Sequence, residues 1–285
     1  MNIAIIGLGG IGSTFAFQLA RAGHQVTAIA RGQRLEQLSR DQAIVTTAGE
    51  RAEVRVAGSL DPTVAFDLVL VTVLAPQVDA VLPSLQASAA KTVMFMFNTF
   101  EPFARLREAV GPRFAFGFPA ILANVQDAGR LESTIVTRGQ ITTVTDGGFA
   151  EVFTQAGIAS VVHPDMESWL RTHAAMVVPF MIAVGRAHER RAGLSWSESW
   201  KLANALDEGL GLVKKLGNAI TPAPMVVLSC LPRVSTAALL WSATRVSSLR
   251  KSGAAGMKEP RALIDSMHAV APGGALPKLL AVRPD

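Results

Sequence analysis

The sequence predicts an α/β fold in which a doubly wound parallel sheet is followed by an all-helical C-terminal domain. In the first 165 of the 285 residues, short apolar runs of strand length alternate with stretches of helical spacing. This alternation is typical of parallel strands joined by crossover helices. After residue 165 the chain contains long helical patterns and little strand signal. We therefore predict two domains, residues 1–165 and residues 166–285.

Four apolar runs are the predicted core strands of the N-terminal sheet: residues 2–6, 25–30, 67–73 and 92–97. The last two runs are almost entirely apolar, which is typical of strands covered on both faces of a parallel sheet. A crossover helix is predicted over residues 77–86 and a hairpin over residues 44–57. Residues 114–162 predict short strands that finish the sheet, with one helix near residues 148–155.

Helical patterns fill the C-terminal domain: residues 168–191, 196–216, 224–250 and 260–269. The most apolar stretch, residues 225–241, contains Pro232 and Arg233 and is shorter than the ~20 residues that a membrane span needs. We therefore predict a buried helix here and no membrane contact. The single cysteine, Cys230, lies in this stretch, so we expect it to be buried. With one cysteine no intramolecular disulfide can form, which favours a reducing cytoplasm.

Charge is distributed unevenly between the two predicted domains. Residues 1–165 contain 12 basic and 14 acidic residues, whereas residues 166–285 contain 15 and 8, which gives net charges of −2 and +7. The basic residues form no stripe interleaved with aromatic residues, so we predict no nucleic-acid partner. The positive surplus suits a small anionic substrate, although solvated helix faces explain it equally well. The five histidines lack metal-ligand spacing, so no metal is predicted.

A glycine-rich motif separates the first predicted strand from the first predicted helix. It has the form G-x-G-x-x-G and consists of Gly7, Leu8, Gly9, Gly10, Ile11 and Gly12. In dinucleotide-binding folds the first glycine permits a tight turn, the second lets the backbone approach the pyrophosphate, and the third lets the helix pack closely. The position between strand and helix therefore indicates a Rossmann dinucleotide-binding domain. The alternative is a glycine-rich turn without a ligand.

The end of the second strand indicates which dinucleotide is bound. NAD sites usually carry an acidic residue about 20 residues beyond the glycines, where it binds the ribose 2′-hydroxyl. Here Arg31 lies 19 residues after Gly12, Arg34 follows one turn later, and the first acid is Glu36. Because a guanidinium suits a 2′-phosphate, we predict NADP(H) as the cofactor. The alternative is that both arginines are solvated residues at a helix start.

Further residues make the sequence resemble the ketopantoate reductase (2-dehydropantoate 2-reductase) family over nearly its whole length. Besides the glycine motif they are Ala30-Arg31-Gly32, Leu70-Val71-Thr72 followed by Gln77, Asn98, Trp169, and Ser247-Ser248 before Glu259. The resemblance implies a Rossmann domain, a helical domain similar to the C-terminal domain of 6-phosphogluconate dehydrogenase, and NADPH-dependent reduction of a 2-keto acid. We assign Asn98, which follows a core strand, to binding of the nicotinamide or the substrate, and Gln77 to the cofactor site; the alternative is turn residues.

The resemblance is incomplete at the substrate site. Departures from the family pattern are Leu74 for a lysine, Thr99 for a glycine, Arg171 for the catalytic lysine, and Ala175 and Pro179 for two substrate-binding asparagines. Glu259 matches the catalytic glutamate of the family. We therefore predict a substrate other than ketopantoate.

Carbonyl reduction needs a hydride from the nicotinamide and a proton for the developing alkoxide. Arg171 can orient a carboxylate but is a poor acid, because the pKa of arginine exceeds ~12. His173 is the nearest candidate proton donor, and Glu259 can orient the substrate or transfer a proton. Residues two apart on a helix lie about 200° apart, so Arg171 and His173 cannot share one face of a regular helix. The alternatives are a core histidine for His173 and a helix-start acid for Glu259.

These observations predict a cytoplasmic NADPH-dependent oxidoreductase that reduces a small 2-keto acid or a related carbonyl compound. The apolar helical domain is compatible with a homodimer. The alternative function is that of a non-catalytic protein that kept the NADP(H) site for binding or sensing. Replacement of the lysine and asparagines is expected both for an enzyme with another substrate and for a protein that has lost catalysis.

Overall fold

Two compact units make up the protein, as described by a computed structural model that covers residues 1–253 and 256–285. The first unit comprises Met1–Asn98 and Phe103–Met166. The second unit comprises Thr99–Pro102 and Glu167–Asp285. The short segment Thr99–Pro102 thus packs with the helices that follow residue 166.

An eight-stranded sheet forms the centre of the first unit. Its strands are β1 (Asn2–Ile6), β2 (Gln25–Ile29), β5 (Arg55–Ala57), β6 (Leu68–Val71), β7 (Val93–Met96), β8 (Phe114–Phe118), β11 (Thr142–Val144) and β12 (Ser160–Val162). Their spatial order is β5-β2-β1-β6-β7-β8-β11-β12. The first six are parallel, and β11 pairs antiparallel with β8. Strands are added first on one side of β1 and then on the other, which is the doubly wound Rossmann order and confirms the predicted fold class.

Helices and two small hairpins complete the first unit. The helices are α1 (Gly10–Arg21), α2 (Gly32–Asp41), α3 (Leu82–Ala87), α4 (Ala104–Val110) and α5 (Gly147–Gln155). The hairpins are β3 (Ala43–Val45) with β4 (Arg51–Glu53), and β9 (Ile121–Val125) with β10 (Leu131–Ile135). The predicted crossover helix over 77–86 is divided into a 3-10 helix, Ala75–Ala80, and α3. Pro83 explains the division, because its ring cannot continue the preceding helix.

The second unit is helical, as predicted. Its helices are α6 (Met166–Arg190), α7 (Trp196–Lys215), α8 (Ala223–Ser229), α9 (Arg233–Ala243), α10 (Ser247–Ser252), α11 (Lys258–Val270) and α12 (Pro277–Leu280). Apolar residues that recur at helical spacing form its core, including Val178 and Ile182 on α6 and Leu202 and Val213 on α7. Phe100, in the segment before α4, is fully buried in the same cluster.

The prediction of a continuous helix over residues 224–250, buried over residues 225–241, is wrong. The chain forms α8, α9 and α10 instead, and α8 and α9 are bent by 109° at the break that contains Pro232. Both helices expose apolar residues, among them Val227 and Leu239, and Cys230 is exposed as well. Among the described residues no single helix is long and apolar enough to span a membrane, and the bent pair α8–α9 reaches that length and composition only when it is counted together.

Gly12 allows helix α1 to lie close to the sheet. A Cβ atom at this position would lie less than 3 Å from the carbonyl oxygen of Gly7 and from Oγ1 of Thr72. Both atoms belong to the turn at the carboxyl ends of β1 and β6, so a side chain would push the helix away from these strands. At Gly9, by contrast, a Cβ atom would meet no heavy atom of the described residues within 4 Å.

We predict that Gly12→Ala lowers the free energy of unfolding by about 1–3 kcal/mol, because added volume in a well-packed contact forces backbone shifts. Urea denaturation measures this change. Gly9→Ala is the matched control on the same turn, and we expect its effect to stay below about 1 kcal/mol, since the backbone of Gly9 (φ −71°) suits alanine. Equal effects of the two substitutions would contradict this role of Gly12.

Candidate functional site

The glycine motif forms the turn between β1 and α1. Gly7 adopts φ +97°, a left-handed conformation that favours glycine, and its backbone lies against Val73. Gly12 provides the close helix–strand contact. Gly9 is exposed and is the N-cap residue of α1, which has no side-chain cap. The three glycines therefore have the environments expected of a pyrophosphate-binding turn, with open space at Gly9, directly before the first residue of α1.

Thr72 fixes this turn from the neighbouring strand. It follows β6 directly, and its Oγ1 lies 3.0 Å from the carbonyl oxygen of Ile6 and 2.7 Å from that of Gly7. Sequence spacing gave Thr72 no such role. The sequence offered one indication of this role: Thr72 is a polar residue directly after a fully buried strand, at the end where the glycine turn lies.

The two predicted cofactor arginines have different environments. Arg31 is exposed at the N-cap of α2, and its side chain makes no hydrogen bond or ion pair with any part of the chain that the structure describes. Because β1 and β2 are parallel and Ile6 pairs with Ile29, Arg31 leaves the sheet at the same edge as the glycine motif. Arg34 is half-buried, and its guanidinium bonds the carbonyl oxygen of Leu8 and the hydroxyl of Ser13. Burial lowers the pKa of Arg34.

Gln77 and Asn98 lie after neighbouring strands of the sheet. Gln77 is exposed, and its Oε1 accepts a hydrogen bond from the backbone N–H of Leu74 at 3.2 Å. Asn98 is partly buried beyond the carboxyl end of β7, where open α/β sheets bind ligands. Gln77 is thus engaged in its own turn, while Asn98 has the position expected of a ligand-binding amide.

Arg171 lies within a polar network in the second unit. The residue is 6% exposed, and its Nε donates to the carbonyl oxygen of Phe100 at 3.2 Å. Its Nη1 donates to Oδ1 of Asn218, and its Nη2 forms an ion pair with Glu167 at 3.1 Å. Asn218 in turn donates to the hydroxyl of Ser168. The guanidinium therefore joins α6, the segment before α4 and the turn after α7.

His173 stacks on Trp169 one turn earlier on α6. The ring centroids are 5.3 Å apart and the planes are inclined by 9°. Burial lowers the pKa of His173 to about 4, so the imidazole is neutral at pH 7. A neutral imidazole is a poor proton donor, which is the opposite of the protonated donor that the sequence suggested.

Glu259 lies in the first turn of α11 and is exposed. This is the helix-start position that the sequence analysis gave as the alternative to a catalytic role. Among the described residues no group of three or more His, Cys, Asp or Glu side chains is arranged to hold a metal ion. The candidate residues thus form two separate sets, which are the glycine turn with Arg31 in the first unit, and Arg171, His173 and Glu259 in the second unit.

Comparison with known proteins identifies the family. The family model described as Ketopantoate reductase PanE/ApbA matches residues 3–144, which include the glycine motif, Arg31 and Asn98. Through this domain the chain belongs to the ketopantoate reductase family. The resemblance expected from the sequence is therefore confirmed. No curated protein matches the sequence significantly.

Solved structures share the fold over the whole chain. A PanE/ApbA family ketopantoate reductase from Ralstonia eutropha JMP134 is 18% identical, with 99% of this chain and 96% of that chain covered and a TM-score of 0.74. A dimeric ketopantoate reductase from Staphylococcus aureus is 15% identical with the same coverage and a TM-score of 0.68. D-mandelate dehydrogenase in a ternary structure with NADH and anilino(oxo)acetate is 14% identical, again with 99% and 96% coverage, at a TM-score of 0.72. These identities make the chain a divergent family member.

The low pKa of His173 predicts a pH-dependent contribution to stability. The pKa is about 4 in the folded protein and has its ordinary value of 6.5 in the unfolded chain, so the unfolded chain binds the proton first as the pH falls. The stabilisation is therefore complete above about pH 6.5 and is lost as the pH falls toward 4. Between pH 7 and 4.5, the free energy of unfolding should decrease more steeply for the wild type than for His173→Asn. Parallel curves would contradict the burial of a neutral His173.

Proposed function

We propose that this protein is an NADPH-dependent oxidoreductase that reduces a small anionic carbonyl compound, with a 2-keto acid as the favoured class. The observation that carries the proposal is the open space at Gly9, before the N-terminus of α1. Arg31, whose side chain has no partner among the described residues, follows the carboxyl end of the neighbouring strand β2. The pyrophosphate of a dinucleotide fits the open space at Gly9, because free N–H groups and the helix dipole attract phosphate. The 2′-phosphate of NADPH suits the guanidinium of Arg31.

The remaining cofactor residues have subsidiary roles in this proposal. Leu8, Gly10 and Ile11 supply the backbone of the phosphate-binding turn, and Asn98 binds the nicotinamide or the substrate by its amide. When bound, the dinucleotide supplies the hydride. Membership of the ketopantoate reductase family supports this assignment, as does the fold shared with a dehydrogenase solved with NADH. The preference for NADPH over NADH rests on Arg31.

We assign the substrate to residues of the second unit, where the net positive charge and the family-derived candidates lie. Glu259 is the exposed candidate and matches the family's catalytic glutamate. Arg171 would bind a substrate carboxylate only by exchanging Glu167 or Asn218 for it. With a pKa of about 4, His173 is protonated in roughly one molecule in a thousand at pH 7. A donor role for His173 therefore implies that turnover increases as the pH falls below 7.

One observation favours a second candidate function, that of a non-catalytic NADP(H)-binding or sensing protein. The guanidinium that replaces the family lysine is engaged by Glu167 and Asn218, and the neighbouring imidazole is neutral. A protein that only bound the dinucleotide would need neither group for chemistry. In either function a homodimer, like the S. aureus neighbour described as dimeric, fits the exposed apolar residues of α9.

The cofactor assignment predicts that the wild type binds NADPH more tightly than NADH. Arg31→Ala should raise the Kd for NADPH about 10- to 100-fold, the range expected for loss of a hydrogen bond to a charged group, and should leave the Kd for NADH nearly unchanged. Gly9→Val should raise both Kd values while the protein stays folded, because the side chain would occupy the open space. Fluorescence titration of the wild type and both variants with the two reduced cofactors measures all six Kd values. Equal wild-type affinities for NADPH and NADH would remove the basis for the NADP(H) assignment.

The catalytic assignment predicts NADPH oxidation with at least one member of a panel of 2-keto acids, aldehydes and ketones. Glu259→Gln should decrease kcat by about 10²-fold or more, the usual effect of losing a positioned acid or base, with the Kd for NADPH retained. Glu36→Gln, on the exposed face of α2, is the matched control. Ketopantoate should be a poor substrate, since Ala175 and Pro179 lack the side-chain amides of the two asparagines that bind it in the family. Tight NADPH binding without turnover of any compound would favour the binding or sensing function.

A further inference from the structure

We propose that Arg34 is a positioning residue that ties the glycine turn to the β9–β10 hairpin and does not contact the 2′-phosphate of the cofactor. Selection of NADPH is then left to Arg31, whereas Arg34 determines how well the turn binds the pyrophosphate that NADPH and NADH share. This inference rests on the proposed function, because it concerns the same dinucleotide site.

The guanidinium of Arg34 bonds both ends of the glycine turn. Its Nε donates to the carbonyl oxygen of Leu8 at 3.0 Å, and its Nη2 donates to Oγ of Ser13 at 3.0 Å. Ser13 is fully buried in the first turn of α1, and its hydroxyl donates to the same Leu8 carbonyl at 3.0 Å. These three hydrogen bonds close a ring that fixes the peptide between Leu8 and Gly9 relative to the start of α1.

The other side of the guanidinium bonds the turn of the hairpin. Nη1 of Arg34 donates to the carbonyl oxygen of Gly129 at 3.0 Å and to Oε1 of Gln37 at 3.3 Å. Arg34, Gln37 and Asp41 have the spacing of one face of α2. Gln37 donates to the carbonyl oxygen of Asp127 at 2.9 Å, and Asp41 forms an ion pair with Arg130 at 3.3 Å. One face of α2 therefore holds the hairpin turn at three points.

Strand β9 of the hairpin lies against the helix that the phosphate would approach. A Cβ atom on Gly10 would lie less than 3 Å from the backbone of Ala123 and Asn124, so this position requires glycine for close packing. The first turn of α1 is thus enclosed by the hairpin on one side and connected to the hairpin's turn through Arg34. Loss of Arg34 would release the glycine turn and its connection to the hairpin together.

Few N–H donors of Arg34 remain available to bind a phosphate. An arginine has five N–H donors, and the bonds to Leu8, Ser13, Gly129 and Gln37 use four of them. Bidentate binding of a phosphate needs two parallel N–H groups on one edge of the guanidinium. Arg31 retains all of its side-chain donors among the described residues, which makes it the residue that can supply such an edge.

The test compares ligands that differ in the 2′-phosphate. Kd values are measured for NADPH, NADH, ADP and 2′-AMP with the wild type and with Arg34→Met, Arg31→Ala and Arg55→Met. We expect Arg34→Met to raise the Kd for NADPH, NADH and ADP by a similar factor, about tenfold, and to leave the Kd for 2′-AMP unchanged. Arg31→Ala should weaken the binding of NADPH and 2′-AMP alone. Arg55→Met, at the exposed start of β5, controls for loss of a positive charge from the first unit.

Three outcomes would overturn the inference. A selective increase in the Kd for NADPH and 2′-AMP in Arg34→Met would make Arg34 a phosphate ligand. A lower melting temperature with every Kd unchanged would make it a purely structural residue. If Arg34→Met does not fold, Arg34→Lys decides: an ammonium keeps the charge but cannot span the four acceptors, so the Kd for NADH must increase. An unchanged Kd for NADH in Arg34→Lys would overturn the inference. Failure of the wild type to bind either dinucleotide would instead overturn the proposed function.

Discussion

The close approach between the start of α1 and the carboxyl ends of β1 and β6 is the contact on which the first unit depends. It brings Gly12 against Gly7 and Thr72, so that no side chain separates the helix from the strands. The N-terminus of the helix consequently lies at the carboxyl ends of the strands, and no side chain caps its N–H groups. A charged phosphate at that point would provide the partner that a cap otherwise supplies. The stability of the turn and the proposed binding of an anion there therefore depend on one packing constraint.

The part of this arrangement that the sequence predicted is the part set by neighbouring residues. A glycine at each of three positions between a strand and a helix is a local requirement of turn and packing, and it can be recognised without knowing the fold. The parallel sheet could also be predicted, since almost entirely apolar runs separated by helices leave few alternatives to it. The division of residues 224–250 into three helices was missed because apolar composition was given more weight than Pro232, whose ring ends a helix.

The roles of Arg34, Thr72 and Arg171 could not be predicted for a different reason: their partners are distant in sequence. Arg34 bonds Gly129, 95 residues away, and Arg171 bonds Phe100, 71 residues away. An arginine shortly after the second strand has the same distance in sequence from the glycine motif whether its side chain contacts a ligand or a backbone carbonyl. The distinction depends on whether a hairpin returns to meet it, and tertiary packing decides that.

The presence of Arg171 at a position where the family resemblance implies a lysine bears on the chemistry of the second unit. Lysine carries a point charge whose pKa responds to burial, and it can therefore release a proton; arginine stays charged and favours fixed, multiple hydrogen bonds. Arg171 has such bonds on three of its nitrogens, to Phe100, Asn218 and Glu167. His173 is held neutral by burial against Trp169. A proton for a developing alkoxide at neutral pH would then come from another group, with Glu259 as the remaining candidate, or from water, unless substrate binding itself raises the pKa of His173. Electrostatics favour such an increase, because a substrate carboxylate close to the imidazole would stabilise its protonated form.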